Sequence, residues 1–472
     1  MCRQNSTVSL DWDIEEEEQE EAEPVTHEQF VRIDSTFLNP DKKKAQVLKC
    51  LDLMETGTEH ERIASAVAKI YLEKGSYRAI NKETGINLRS ISTYFKTIGA
   101  KMSEKETYTV TLLMAGGQIM TGMDYYRLAM PYLGLKENHG CEVKIGDWKD
   151  IENGAPINKD TDLYVVNARP HAVNAAGKVI EQGGKLVVDI DDYWDVPTWN
   201  FYSVQSKELK YEYNLEKLIG SATAVTTTTD ILAEKIRKRF KVDATVIKNC
   251  IHPVTHFTKK KSESGRVRFG WVGGVMHLRD ISLMANGITH CHLDKDLNKK
   301  IQFCLGGYNY PNPEYEAIEK IFTTGMKDAD YAEYLALNTQ TMEHYSNDKP
   351  YRRLWGTSAI LYGRMYEEID VTMIPLYHGA FNSCKSELKV VEAATTGCAV
   401  IASDVAPYNT ILNKKNSILI NNSKPDWYLA VKKMTNNPQM REDLAGQLQI
   451  DVAKYFDYSQ NVLTLHKTLS KL

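Results

Sequence analysis

Several features are missing from this 472-residue chain, and each absence excludes a class. No run of apolar residues approaches the roughly 18 needed to cross a bilayer as a helix, so no membrane span is expected. The first residues hold no basic stretch leading into an apolar core, so no secretory leader is expected. Its eight cysteines are never spaced as Cys-x-x-Cys, which argues against a zinc ribbon or a disulfide scaffold. A reducing, cytoplasmic compartment is the simple expectation. Basic charge is short as well: 58 Lys and Arg face 62 Asp and Glu, a net charge of −4. A broad basic coat for nucleic acid is therefore excluded. What remains is ordinary for a globular chain, 42% hydrophobic and 25% charged. At about 100–200 residues per domain, the length implies more than one domain.

The charge is unevenly placed. Residues 1–30 hold ten acids and one base, which leaves residues 31–472 with 57 bases and 52 acids, net +5. Like charge at that density cannot bury enough apolar surface to fold, so residues 1–30 are expected to be a disordered acidic tail. Residues 31–102 read as helical. Ile63, Ala66, Val67, Ile70 and Tyr71 recur at helical spacing within Glu61–Leu72. Gly75 stops that helix, and Ser76 can cap a short one at Tyr77–Glu83. A Thr84-Gly85-Ile86 turn then leads to a third helix, Leu88–Ile98. The segment GSYRAINKETGINLRSISTYFKTI resembles a helix-turn-helix module. The resemblance implies that its third helix contacts double-stranded DNA through Arg89, Ser90, Thr93, Tyr94 and Lys96. A trihelical unit used for protein docking is the alternative.

From residue 107 short apolar runs alternate with helical segments. The strands are 107–115, 162–168, 185–191, 222–229 and 244–249, and then 267–272, 301–307, 370–377, 399–404 and 417–421. Helices are expected at Gly122–Leu133, Ala172–Gln182 and Asp230–Phe240, and a last one over 436–472. Alternation of this kind predicts parallel sheets covered on both faces. Each series opens strand, Gly-Gly, helix, at Gly116-Gly117 and again at Gly273-Gly274. The expected fold class is therefore α/β, with two Rossmann-like domains (107–252 and 265–435) facing a cleft. A small all-α domain precedes them, and the 436–472 helix packs back across both.

The chemistry is expected in IDVTMIPLYHGAFNSCKSELKVVEAATTGCAVIASDVAPY, residues 369–408. It reads strand, loop, helix, glycine stop, strand, and ligands in open α/β sheets bind where such helices begin. Asn382, Lys385, Lys389 and Glu392 are spaced by three, four and three residues, which places them on one stripe of a helix starting near Asn382. A helix N-terminus with one or two lysines can hold a diphosphate. A carboxylate further along can accept from both hydroxyls of a ribose.

The same segment resembles the donor-site signature of the retaining, group-1 nucleotide-sugar glycosyltransferases of the two-Rossmann (GT-B) type. Three other segments agree in order: LVVDIDDYWDVP (186–197), SATAVTTTTDILAEKI (221–236) and GWVGGVMHLRDI (270–281). The resemblance spans about residues 107–450. It implies that Glu392 binds the donor ribose and that Lys385 and Lys389 lie near the diphosphate or sugar. It further implies that Gly273 and Gly274 admit phosphate to the backbone, and that Gly116 and Gly117 line the cleft opposite. His277 and Asn382 join the donor side; Arg127, Asp191 and Asp192 join the acceptor side. The family's Glu-x7-Glu pair is broken, because Cys384 stands eight residues before Glu392. Asp191, His277 and Lys385 are the catalytic candidates. No obligatory metal is expected; the co-substrate is a UDP- or GDP-sugar. The pairing of a reader-like module with a sugar-transfer core points to a modified DNA base, such as a hydroxymethylpyrimidine, as acceptor. A saccharide, lipid or protein acceptor, or a non-enzymatic DNA-binding sensor of nucleotide sugar, are the alternatives.

Overall fold

The computed structural model describes residues 54–74, 82, 84, 86, 107–114, 120–169, 172–200, 202–252, 257–309, 312–332, 349–424 and 426–472. The acidic tail, the expected DNA contacts Arg89, Ser90, Thr93, Tyr94 and Lys96, and the loop glycines Gly116 and Gly117 lie outside the described residues. The chain divides into two compact units, Met1–Lys105 and Glu106–Leu472.

In the first unit a helix spans Glu59–Lys74, two residues longer at each end than the periodicity predicts. A capping box sets its start. Thr58 Oγ1 accepts the Glu61 N–H at 3.2 Å while Glu61 Oε2 accepts the Thr58 N–H at 2.8 Å. The buried line is Ala64, Val67 and Ala68, whereas Ala66 is exposed, so the inward face is rotated from the predicted stripe.

The second unit holds two all-parallel sheets. The first contains β1 (Thr109–Met114), β2 (Glu142–Asp147), β3 (Leu163–Asn167), β4 (Leu186–Ile190), β5 (Ala224–Thr227) and β6 (Ala244–Val246), in the order β2-β1-β3-β4-β5-β6. The second contains β7 (Val267–Val272), β8 (Ile301–Tyr308), β9 (Tyr351–Trp355), β10 (Val371–Ile374), β11 (Ala399–Ser403) and β12 (Ile418–Ile420), in the order β12-β11-β10-β7-β8-β9. Central strands such as β3, β4 and β11 are buried at every residue, as helices on both faces require. Sequence reading missed β2 and β9, and both are edge strands. β2 is half exposed and polar. β9 carries Arg352 and Arg353, whose charges are met by Glu368 at 3.2 Å and Glu319 at 2.5 Å.

Two helical expectations change. The helix expected at Gly122–Leu133 begins as a π-helical turn, Asp124–Ala129, and continues as an α-helix over Met130–His139. The single helix expected at 436–472 is two, Pro438–Tyr455 and Tyr458–Leu469. Asp457 causes the break by capping the second helix, accepting the Gln460 N–H at 2.8 Å. The helix Pro438–Tyr455 buries Leu448 and Val452 in the core of the second half, around Val390 and Ala394. The helix Tyr458–Leu469 buries Val462, Leu465 and Leu469 in the core of the first half, around Val110 and Leu112.

Candidate functional site

In a doubly wound sheet the ligand crevice opens where strand order reverses, beyond the carboxyl ends of the strands. In the second sheet that place lies between β7 and β10. The segments leaving those two strands carry nearly all the predicted donor residues. After β7, Gly273 and Gly274 lead into a 3₁₀ turn, Val275–His277. A Cβ on Gly273 would stand 2.6 Å from Trp271 Cζ2 and 2.8 Å from Lys389 Nζ, so any larger residue must push the Trp271 ring or the Lys389 ammonium aside. Gly274 is exposed, with open space on its Cβ side.

After β10 the structure corrects one expectation. No single helix runs from Asn382 to Glu392. A short helix, Ala380–Ser383, is followed by a separate helix, Leu388–Thr395. Tertiary contacts explain the break. Asn382 turns to Asp280, Cys384 enters the apolar cluster of the first half with Trp194 and Leu232, and Ser386 bonds to Asn249 at 2.8 Å. On one continuous helix Asn382 and Ser386, four apart, would share a face, yet their partners Asp280 and Asn249 belong to different halves. Only Lys389 and Glu392 share a helical face. No side chain caps the start of Leu388–Thr395.

Asp280 is the hub of this side. Its Oδ1 accepts the Tyr377 N–H at 2.9 Å and Asn382 Nδ2 at 3.1 Å, while Oδ2 faces His277 Nδ1 at 3.0 Å. Burial pushes His277 down to about 4, with Lys389 and Lys385 acting in the same direction and Asp280 opposing. The imidazole is therefore neutral near pH 7. With its Nδ1–H donated to the Asp280 carboxylate, the ring keeps Nε2 as an acceptor. Asn382 Oδ1 is buried and has no hydrogen-bond partner among the described residues.

Lys389 donates to Val272 O at 2.5 Å and lies 5.2 Å from the Trp271 ring centroid. Burial pushes its pKa down to about 8, with Glu392 opposing and Lys385 assisting. Glu392 is 2% exposed. Its Oε1 accepts Tyr126 Oη at 2.6 Å and its Oε2 accepts Tyr366 Oη at 2.8 Å. Burial raises the Glu392 pKa, while Lys389 and both phenols oppose that rise.

The first half meets these residues directly. Tyr126, Asn249 and Asp192 all reach across, the last to Lys385 at 3.5 Å. Arg279 sits 4.8 Å from the Trp199 ring of the first half and 4.7 Å from the Tyr377 ring of the second. Asp191 accepts from Asn167 Nδ2 at 3.1 Å, and burial followed by the like charges of Asp192 and Asp189 pushes it up to about 6.

Arg127, expected at the cleft, is instead inside the first half. It is 2% exposed and grips Asp189 through Nε–Oδ1 at 3.0 Å and Nη2–Oδ2 at 2.7 Å. Its Nη1 donates to Ile247 O at 2.6 Å and Asn249 Oδ1 at 2.8 Å. With its donors so engaged, Arg127 ties the π-helical turn to the ends of β4 and β6.

Asp280, Tyr126, Tyr366, Asn249 and Trp199 were not singled out as site residues from sequence. Only Asp280 left a signal there, three residues after His277 and so one helical turn away. Among the described residues, no group of three or more His, Cys, Asp and Glu is placed to hold a metal ion. None of their helices is long and apolar enough to cross a membrane.

No protein-family model matches this sequence, and no curated protein matches it. Solved structures do. Sucrose-phosphate synthase from Thermosynechococcus elongatus aligns with a TM-score of 0.56 at 12% identity, covering 77% of this chain and 98% of that one. Anabaena HepE, in complex with UDP and glucose, aligns with a TM-score of 0.53 at 13% identity, covering 77% and 100%. The fold is GT-B. The UDP-forming α,α-trehalose-phosphate synthase from Burkholderia vietnamiensis shares it, with a TM-score of 0.50 at 10% identity over 77% and 100%. At such identities the likeness is one of architecture.

Proposed function

We propose that this GT-B chain is a nucleotide-sugar-dependent glycosyltransferase of the retaining group-1 kind. The observation that carries the reading is the convergence, at the β7/β10 reversal, of a close-packed Gly273, two lysines, an uncapped helix start and a buried carboxylate. Lys385, Lys389 and the N-terminus of Leu388–Thr395 would hold the donor diphosphate and neutralise it as it leaves. Glu392 would take the ribose. His277 Nε2 and Asn382 Oδ1 would accept from sugar hydroxyls. Asp191, at the end of β4 and held near pKa 6, would receive the acceptor hydroxyl. The complexes of Anabaena HepE, with UDP and glucose, support a UDP-sugar as donor.

For the acceptor, the helix-turn-helix-like segment favours a hydroxyl on a modified base in double-stranded DNA. A saccharide acceptor is the second reading, favoured by the names of the structural relatives, sucrose-phosphate and trehalose-phosphate synthases. The protein would be incubated with UDP-, GDP- and ADP-sugars together with hydroxymethylated duplex DNA or a panel of sugars and sugar phosphates. Mass spectrometry of nucleosides and saccharides then reads the product. A hexosylated nucleoside selects the first reading and a new saccharide the second. Donor turnover with neither, lost in Lys385→Ala and Glu392→Ala, points to another acceptor. No turnover at all leaves a nucleotide-sugar sensor.

A further inference from the structure

The contact between Tyr126 and Glu392 is a buried polar contact crossing between the two halves of the GT-B unit. Glu392 is 2% exposed, Tyr126 8% and Tyr366 0%. Tyr126 belongs to the first half, on the π-helical turn Asp124–Ala129; Glu392 and Tyr366 belong to the second. π-Helical turns are rare and concentrate at functional sites. This one is anchored on both sides of Tyr126. Asp124 accepts from Thr121 Oγ1 at 2.7 Å and from Arg169 Nη2 at 3.0 Å, and Arg127 grips Asp189. The phenol is thus presented from a fixed frame.

An ionised carboxylate has about four lone-pair sites, two on each oxygen. The phenols take one on Oε1 and one on Oε2. Two sites remain, one per oxygen, and a vicinal diol brings two donors. Both phenols are neutral donors throughout the working range, because burial raises their pKa values well above 10. Their hydrogen bonds favour the charged, accepting form of Glu392 and so oppose the rise that burial imposes on its pKa.

We propose that Tyr126 and Tyr366 are positioning residues that orient the Glu392 carboxylate to read the 2′,3′-diol of the donor ribose, with Tyr126 supplied by the acceptor half. The inference rests on the glycosyltransferase reading and deepens it. Ribose selection is then sharper with the two halves together than in an open cleft, where Tyr366 alone orients Glu392.

The test is a comparison of ligand pairs. Affinities for UDP and 2′,3′-dideoxy-UDP are measured by calorimetry on the full chain, with the GDP and ADP pairs alongside. Wild type is expected to prefer the ribonucleotide by about tenfold or more, the scale of a hydrogen bond to a charged group. Tyr126→Phe and Tyr366→Phe each keep the ring and are expected to pull that ratio down several-fold. Glu392→Gln is expected to abolish it. A merely structural tyrosine would weaken both nucleotides equally and leave the ratio unchanged, and that result overturns the inference while the glycosyltransferase reading stands. Wild type that binds none of the three ribonucleotides overturns both. Thermal melts accompany each variant, and if Tyr126→Phe does not fold, Tyr366→Phe decides the matter by the same ratio.

Discussion

Gly273 is where the smallest chemical change reaches furthest. One added methyl group would meet Trp271 and the Lys389 ammonium at under 3 Å, so Gly273→Ala is expected to cost about 1–3 kcal/mol of stability. Because the methyl displaces Lys389, nucleotide affinity should also fall, about tenfold or more; melting and calorimetry on one sample check both. Lys389 makes a second prediction at this scale. Its pKa is held down at about 8 against an ordinary 10.5, so between those values the unfolded chain binds more protons than the folded one. Stability contributed by this group therefore rises with pH across that window, and the cost of burying its charge is fully present below about 8. Diphosphate affinity has the opposite sign: it is greatest below about 8 and falls above it, by at most about tenfold per pH unit for one proton. Lys389→Arg, which stays charged, should abolish that fall in titrations between pH 7 and 10. Asp191 acts lower. If it receives the acceptor proton, transfer rate rises through pH about 6, and Asp191→Asn removes that limb of the profile.

The helix Tyr458–Leu469 is held by a close approach that one glycine allows. A Cβ on Gly134 would stand 2.4 Å from Val462 Cγ2 and 2.8 Å from Tyr458 Oη. Gly134→Ala is expected to destabilise by about 1–3 kcal/mol, and Val462→Ala in the same chain should recover part of it. The double-mutant cycle then shows non-additivity, and additive losses would mean the helix is docked some other way. Elements differ in how far their sequence announces them. Central strands do so by unbroken apolar runs, as in Leu186–Ile190, because both faces are covered. Edge strands β2 and β9 do not, because half their residues answer to solvent or to paired charges. The donor helix reads as continuous from Asn382 because periodicity is local, whereas the break is imposed by Asp280, Asn249 and the apolar cluster around Cys384. The π-helical turn is hidden for the same reason: its anchors Arg169 and Asp189 are distant in sequence.

At the scale of the whole molecule, the net charge of −4 conceals an acidic tail, residues 1–30, on a body of net +5, whereas the compact units divide further along, at Lys105. Which residues of the proposed donor side come together was legible in part. Gly273, His277, Lys389 and Glu392 meet where the second sheet reverses, because strand-loop-helix order dictates it. The cross-cleft partners Tyr126 and Trp199 were not, since nothing local marks a residue for a partner in the other half. The unit Glu106–Leu472 contains every proposed donor and acceptor-hydroxyl group and the four apolar clusters. A chain lacking residues 1–105 is therefore expected to melt cooperatively and to bind nucleotide within about twofold of the full chain, since every group proposed to touch the nucleotide lies in Glu106–Leu472. DNA is expected to behave differently. If the helix-turn-helix-like segment carries the acceptor, full-length protein binds duplex DNA with affinity that falls steeply as salt rises, and the shortened chain loses both that binding and base glycosylation while still turning over donor. Gel-shift titrations at two salt concentrations, run beside donor hydrolysis, separate the outcomes. Equal DNA transfer by both chains would move the DNA contacts to the cleft rim. Saccharide transfer by both chains, with no salt-dependent DNA binding by either, would assign the acceptor to the cleft alone and leave the helical segment to protein docking.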